Sequence, residues 1–441
     1  MSVATDKAQQ IAAMAAHPKH DKNGQIVNGS EALILSLIEE GVDTIFGYPG
    51  GAIMPIYDAL FHYRKVLNHI LVRHEQGATH AAEGYAQMAG KPGVCFATSG
   101  PGATNLITGI ADAMLDSVPI VCITGQVPEK FLGTDAFQET DVMSLAMPIT
   151  KWCYQIADAD EIPYIIAKAF YIARSGRPGP VLVDITKCAQ FADMTKPFHY
   201  EKRRQIKGYK PACKPREKDI VNAAELINNA QKPFIFVVHG ILISKAQEEI
   251  KAFSEKTGIP VASTLLGLSA FPSDHPNYVG MLGMHGNYGP NKLTNQADVI
   301  IAIGMRFDDR VTGNLDTYAK QAKVIHIDID HAEMGKNVTP TVGMIADAKE
   351  ALHALIPAVN DNEHPEWRAE FDKYMAEEEE KVIRHDFTAV GDQVKMGEVI
   401  RRLSEKTNGE AVIVADVGQH QMSAARYSQF RRSDSWLTSG G

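Results

Sequence analysis

The sequence predicts an α/β fold: parallel sheets flanked by helices, in three units of which the third is incomplete. Three observations carry the prediction. Short apolar runs of strand length alternate with helical patterns. The alternation occurs twice, on either side of a stretch rich in Pro, Lys and Arg. A third round opens near Lys395 and proceeds no further than one strand. Repeated β–α alternation requires a parallel sheet with helices on both faces.

In the first unit, 30–192, strands are predicted at 44–46, 69–73, 93–98, 120–124 and 181–184, with helices at 77–88 and 104–114 among them. Residues 193–218 hold Pro197, Pro211 and Pro215 among many basic residues and read as a solvated linker. The second unit, 219–356, has predicted strands at 234–238, 261–263, 299–303 and 324–328. A second linker, 357–394, includes four consecutive glutamates, 377–380, and reads as the surface of a connecting helix. The third unit, 395–441, begins with a helix and the strand 411–415; its apolar face is expected to have nothing to pack against, as if the chain were cut short. Residues 1–29 are polar, lack an apolar signal core and read as a flexible tail.

The 441 residues carry a net charge of −9, which argues against a nucleic-acid binder. No apolar run is long enough to span a membrane. Five cysteines, Cys95, Cys122, Cys153, Cys188 and Cys213, form no C-x-x-C pair. A reduced, cytoplasmic protein without structural zinc is the expectation.

The chemistry concentrates in glycine turns. Gly47-Tyr48-Pro49-Gly50-Gly51-Ala52 ends a strand in a turn where Gly50 and Gly51 let backbone approach a ligand closely. In Arg73-His74-Glu75-Gln76-Gly77-Ala78, Glu75 sits where a strand hands over to a helix rich in Ala and Gly. A carboxyl group there is partly desolvated and suited to proton exchange, although a glutamate at a helix start also simply complements the helix dipole. Next come Thr98-Ser99-Gly100-Pro101-Gly102-Ala103-Thr104-Asn105, Asp116-Ser117-Val118-Pro119, Asp135-Ala136-Phe137-Gln138-Glu139 and Ser175-Gly176-Arg177-Pro178-Gly179-Pro180. In the second unit, Leu282-Gly283-Met284-His285-Gly286 precedes a strand that runs into Gly304-Met305-Arg306-Phe307-Asp308-Asp309-Arg310. A glycine at the carboxyl end of a parallel strand, followed by arginines, is where phosphates dock in open α/β sheets.

In this order and spacing the runs resemble the thiamine-diphosphate-dependent enzymes, and within them the acetohydroxyacid (acetolactate) synthases, over nearly all of 30–441. The resemblance implies a three-domain architecture: a pyrimidine-binding domain at 30–192, an FAD-binding domain at 219–356 and the start of a diphosphate-binding domain at 395–441. It implies that Glu75 hydrogen-bonds the pyrimidine ring and promotes the tautomer that takes the proton from C2 of the thiazolium. That carbon then adds to pyruvate, carbon dioxide leaves, and the two-carbon unit joins a second pyruvate or 2-ketobutyrate, as branched-chain amino-acid biosynthesis requires. By the same resemblance Phe137 and Gln138 line the route to the reactive carbon, Gln138 donating to a developing alkoxide. Lys187 and Met284 stand near the channel mouth, Lys187 drawing in ketoacids; Gly50, Gly51, Gln419 and His420 belong to the thiamine diphosphate site. Arg177, Met284, His285, Gly286, Gly304, Arg306, Asp309, Arg310 and Asp328 belong to a structural FAD. A homodimer or homotetramer with a regulatory small subunit is implied.

Two departures from the family pattern stand out. Ser423, directly after the 414–422 motif, stands where the family usually has Trp, and the G-D-G…N segment that holds Mg²⁺ is expected beyond Gly441, leaving no metal ligand within the chain. A chain ending there is expected to be inactive alone. Rival readings are a non-catalytic FAD-binding or oligomerisation fragment and another thiamine-diphosphate enzyme. A catabolic acetolactate synthase would lack the flavin run at 306–313, and glyoxylate carboligase would lack Glu75. Pyruvate oxidase is disfavoured by Phe137-Gln138 and the 283–286 run.

Overall fold

The computed structural model describes residues 22–211, 214–389 and 391–441. Residues 1–21 of the expected tail and Cys213 lie outside the described residues. The chain divides into two compact units, one reaching to Lys210 and one running from Pro211 to Gly440.

The first unit is built on a six-stranded parallel sheet in the order β2-β1-β3-β4-β6-β5: β1 Thr44–Gly47, β2 Asn68–Leu71, β3 Gly93–Ala97, β4 Ile120–Gln126, β5 Trp152–Ile156 and β6 Val181–Thr186. β3, β4 and β6 are buried throughout, because helices cover both faces. Alternation divides their side chains between two cores. Val94, Phe96, Val121 and Ile123 join helix α1 (Gly29–Glu39) and Phe170 on one face. Cys95, Ala97, Ile120 and Cys122 meet helices α2 (Glu75–Ala89) and α3 (Ile107–Asp116) on the other. Ala78, Ala82 and Ala86 are spaced at i, i+4 and i+8, so α2 lies close to the sheet. A Cβ on Gly93 would stand 2.1 Å from the Ala82 carbonyl.

Two expected boundaries move. The Met194 N–H donates to Val27 O (2.9 Å) and the Phe198 N–H to Gln25 O (2.7 Å). Met194 and Phe198 are buried, so 24–28 and 193–198 brace each other as part of the first unit. Asn28 also caps α1, accepting the Glu31 N–H at 2.9 Å.

The second unit carries another six-stranded parallel sheet, in the order β12-β11-β10-β7-β8-β9: β7 Pro233–Val237, β8 Val261–Ser263, β9 Tyr278–Met281, β10 Val299–Ile303, β11 Lys323–Asp328 and β12 Val342–Ile345. In these two sheets the strands missed in the sequence, β5, β9 and β12, are all edges. Their single neighbour and half-buried side chains leave no apolar run to read.

The charged stretch after 357 is more than a surface helix. Trp367 and Phe371 of helix α4 (Pro365–Glu378) are buried beside Phe234, and Glu378 is buried too. Residues from 395 onward do not stand apart as a third unit. They form two helices, Met396–Lys406 and α5 (Gln419–Tyr427), and a parallel pair, β13 Ile413–Val414 with β14 Trp436–Leu437. The expectation that their apolar face lacks a partner is corrected: Ala424, Ala425, Phe430 and Trp436 pack against Leu268 and Met281.

Candidate functional site

In an open parallel sheet, ligands bind beyond the carboxyl ends of the strands, where the connections diverge to opposite sides. In the first sheet that point lies between β1 and β3. The turns after these strands cross there. The Tyr48 N–H donates to Phe96 O (3.3 Å), and the Ala52 N–H donates to Thr98 Oγ1 (3.1 Å). Gly50 permits the crossing, since a Cβ there would stand 2.5 Å from the Thr98 side chain; at Gly51 a Cβ would meet nothing.

Glu75 is the first residue of α2, after the next strand, β2; His74 caps the helix by accepting the Gln76 N–H at 3.1 Å. Glu75 is 8% exposed, and its Oε2 accepts a hydrogen bond from Asn105 Nδ2 at 2.9 Å. Gly102 keeps the carboxylate bare, because a Cβ there would lie 3.2 Å from Oε1 and 2.8 Å from Thr98 Cγ2. Below the turn, Tyr57 and His69 are 3.2 Å apart. Burial, with the Cys95 thiol and the Glu75 carboxylate adding to it, pushes the Tyr57 hydroxyl up, so it remains a neutral donor.

The loop carrying Phe137 and Gln138 reaches the same turns. A Cβ on Gly100 would stand 2.7 Å from the Gln138 carbonyl, and Gln138 itself has φ +59°. Glu139 holds the loop's shape: its carboxylate accepts the Gly133 N–H and, at 3.0 Å, the Ala136 N–H. Those backbone donors, Gly133 foremost, keep its carboxyl below the usual range. Phe137 is left 88% exposed. Lys187 is half-buried at the start of the short helix Lys187–Phe191, two strands along from β3. That helix reaches back through Gln190, whose Nε2 donates to Ala52 O at 2.8 Å. Asn105, Thr98, Glu139 and Gln190 escaped the sequence reading as site residues; of these, Gln190 alone stood outside the recognisable runs.

In the second sheet the connections diverge between β7 and β10. The following turns touch through Gly240 and Gly304: a Cβ on Gly304 (φ +67°) would meet Gly240 Cα at 2.5 Å. His326, fully buried, donates from Nε2 to Met305 O at 2.7 Å and stacks edge-on against Phe307. Burial holds its pKa down, so the ring is neutral and steadies the 304–307 turn. The Met284 N–H donates to Arg310 O at 2.7 Å, bringing the 283–286 loop to the second arginine. Met284, His285, Asp309 and Arg310 are exposed; Arg310 Nη1 lies 3.9 Å from Asp309 Oδ2 and donates weakly to Met284 Sδ (3.6 Å), and most of its guanidinium faces outward.

Not every expected flavin residue is equally placed. Arg306 is already engaged, donating to Asp308 Oδ2 (3.1 Å) and Gly440 O (2.7 Å). Asp328 is buried and accepts the Asp330 N–H at 2.8 Å. Arg177 belongs to the first unit, where it donates to Ser117 Oγ (2.8 Å) and Leu115 O. Gln419 and His420 are exposed at the start of α5.

Among the described residues, one group of side chains has metal-ligand spacing: His80, Glu83 and Asp112, on α2 and α3. The Asp112 and Glu83 carboxylates, 3.5 and 3.4 Å from Nδ1, push the His80 pKa up to about 10. The group therefore acts as an ion-pair cluster joining the two helices.

Buried carboxylate, glycine cradle and diverging parallel strands define a cofactor-binding α/β enzyme. Residues 27–145 match the N-terminal TPP-binding domain of thiamine pyrophosphate enzymes, and 220–355 match their central domain. The chain is 46% identical over 424 residues to acetolactate synthase of Mycobacterium bovis, covering 95% of this chain and 67% of that protein. It is 46% identical to the acetolactate synthase large subunit of Corynebacterium glutamicum (94% of this chain, 66% of that one). With the chloroplastic acetolactate synthase of Arabidopsis thaliana it shares 45% identity (94% and 61%). The chain belongs to the acetolactate synthase family of thiamine pyrophosphate enzymes, and it spans about two thirds of the length of these relatives.

Proposed function

We propose that the chain is the catalytic subunit of an acetolactate synthase, which decarboxylates pyruvate and joins the two-carbon unit to a second pyruvate or to 2-ketobutyrate in branched-chain amino-acid biosynthesis. The observation that carries this reading is the buried Glu75 carboxylate, steadied by Asn105 and left bare by Gly102 where β1 and β3 part.

The residues fit the cofactor. A side chain at Gly50 or Gly102 would fill the cradle beside Glu75. Thiamine pyrophosphate, when bound, would supply the acidic carbon that adds to a ketoacid and the ring that takes up the electron pair left behind as carbon dioxide departs. Glu75 exchanges a proton with the pyrimidine ring, and its burial keeps competing water away. Asn105 fixes the orientation of that carboxylate. Gln138 donates to the carbonyl oxygen as charge develops on it, and Phe137 beside it lines the route to the same place. Lys187 draws in the ketoacid carboxylate.

The second crevice suits the pyrophosphate of FAD: Gly240, Gly304 and the 283–286 loop give close backbone approach, and Arg310 offers an unburied fork of donors. His285, Gly286 and Asp309 line the same edge. Mg²⁺ would be held with the diphosphate, to which Gln419 and His420 contribute. Homo-oligomerisation, a regulatory small subunit and a cytoplasmic location complete the reading. No helix among the described residues is long and apolar enough to cross a membrane.

The test is a chimera in which the remaining third of the Mycobacterium bovis relative is joined after Gly441. Supplied with thiamine pyrophosphate, Mg²⁺ and FAD, it is expected to turn pyruvate into acetolactate. A folded, cofactor-loaded chimera that leaves pyruvate unchanged, or oxidises it instead, would overturn the reading.

A further inference from the structure

Of the four glutamates at 377–380, one is buried. Glu379 and Glu380 are exposed and Glu377 pairs with Lys381 on the surface, whereas Glu378 is only 3% exposed. A carboxylate in that position is costly unless several donors meet it. Three do. Glu378 Oε2 accepts the Tyr288 backbone N–H (3.0 Å) and the Asn287 side-chain amide (3.3 Å), and Oε1 pairs with the Arg426 guanidinium. The same guanidinium donates to Gly286 O at 3.4 Å. The helix changes to a π turn immediately afterwards, at Glu379–Ile383, a local irregularity of the kind that re-aims side chains at functional sites.

These contacts join segments distant in sequence. Asn287 Oδ1 accepts the Met281 N–H at 2.9 Å, and Asn291 exchanges two hydrogen bonds of 2.8 Å with the Gly283 backbone. The loop 282–288 is thereby a closed, rigid turn whose Met284 N–H binds Arg310 O. Arg426 lies two turns along α5 from Gln419, so it shares a face with it.

We propose that Glu378 and Arg426 form a latch that makes the 282–288 loop and α5 move as one, so that occupancy of the second crevice is felt at the start of α5. Neither residue touches substrate; both are positioning residues. The coupling to a ligand rests on the flavin reading above, whereas the latch itself does not.

Amide hydrogen exchange tests both parts on the 441-residue chain. Without flavin, Arg426→Met is expected to speed exchange in both 282–288 and 419–427 by roughly tenfold or more, because one partner of a buried charge pair has gone. β7 and β10 should keep their protection. Glu378→Gln should act in the same two segments, and serves as the second variant if Arg426→Met folds poorly. With FAD, the parent chain is expected to gain protection in 419–427 as well as 282–288, and Arg426→Met only in 282–288. Uniformly faster exchange, with FAD still protecting 419–427, would reduce the pair to ordinary stabilisation and overturn the latch. So would unchanged exchange in 282–288 in both variants. If the parent chain binds no FAD while both variants still loosen both segments, the latch stands and the flavin reading falls.

Discussion

Asn105 donates its side-chain amide to Glu75 Oε2 at 2.9 Å, so the buried carboxylate at the head of α2 is held by a residue thirty positions later. The donor comes from the end of the short helix Pro101–Asn105, which itself starts at the crossing turn after β3. Gly102, beside Glu75 Oε1, and Gly50, at the crossing turn, are therefore part of the site rather than loop punctuation, and neighbouring glycines differ in what they tolerate.

Gly50 and Gly51 separate cleanly. Gly50→Ala would drive a methyl group to within 2.5 Å of Thr98, whereas Gly51→Ala meets nothing within 4 Å. Overpacking of this kind costs about 1–3 kcal/mol. Urea unfolding should show a loss of that size for Gly50→Ala and a change within about 0.5 kcal/mol for Gly51→Ala. Equal effects would mean that the two turns do not cross as described.

The two arginines of the second crevice should also differ. Arg310 is exposed and held only by loose contacts to Asp309 and Met284, and removing a charge-assisted hydrogen bond costs about 1.5–3 kcal/mol, so Arg310→Ala should weaken FAD binding roughly tenfold to a hundredfold. Arg306 already serves Asp308 and Gly440, so Arg306→Ala should cost less affinity. Flavin absorbance retained after gel filtration, followed by fluorescence titration, measures both. A chain that cannot be loaded with FAD at all would remove the second cofactor from the proposal.

The His80 cluster gives a pH dependence with a definite sign. The folded His80 pKa is raised above the unfolded value, so its stabilisation is lost as pH rises through about 10; burial raises the Glu83 carboxyl to about 7, so at pH 6 Asp112 is the partner that stays charged. Compared with the parent chain, His80→Gln should be destabilised at pH 6 and nearly level with it above pH 10, as read from urea midpoints. A gap that widens with pH would contradict the ion-pair assignment.

Much of this architecture was legible in the sequence, and the limits have physical causes. β3, β4 and β6 are buried on both faces and read as apolar runs. β5, β9 and β12 are edges, where one neighbour and mixed exposure erase the pattern. Glu75 could be singled out because a carboxylate at a strand–helix junction is local information. Asn105 could not be assigned a role, since its partner is set by tertiary packing. Glu378 was hidden in a charge run that looked solvated, and only the fold distinguishes it from its neighbours. The packing of Phe430 and Trp436 on Leu268 and Met281 was equally invisible, because it joins segments about 150 residues apart.

The central claim is that Glu75 exchanges a proton with the cofactor. It is tested most directly by the exchange rate of the thiamine pyrophosphate C2 proton in the chimera described above, comparing Glu75 with Glu75→Gln. Glutamine keeps the shape and can still hydrogen-bond, but it cannot act as acid or base. The expected result is exchange slower by ~10²–10⁴ with only modest loss of cofactor affinity. Equal exchange rates in the two proteins would contradict the account and leave Glu75 as a charge at the start of a helix.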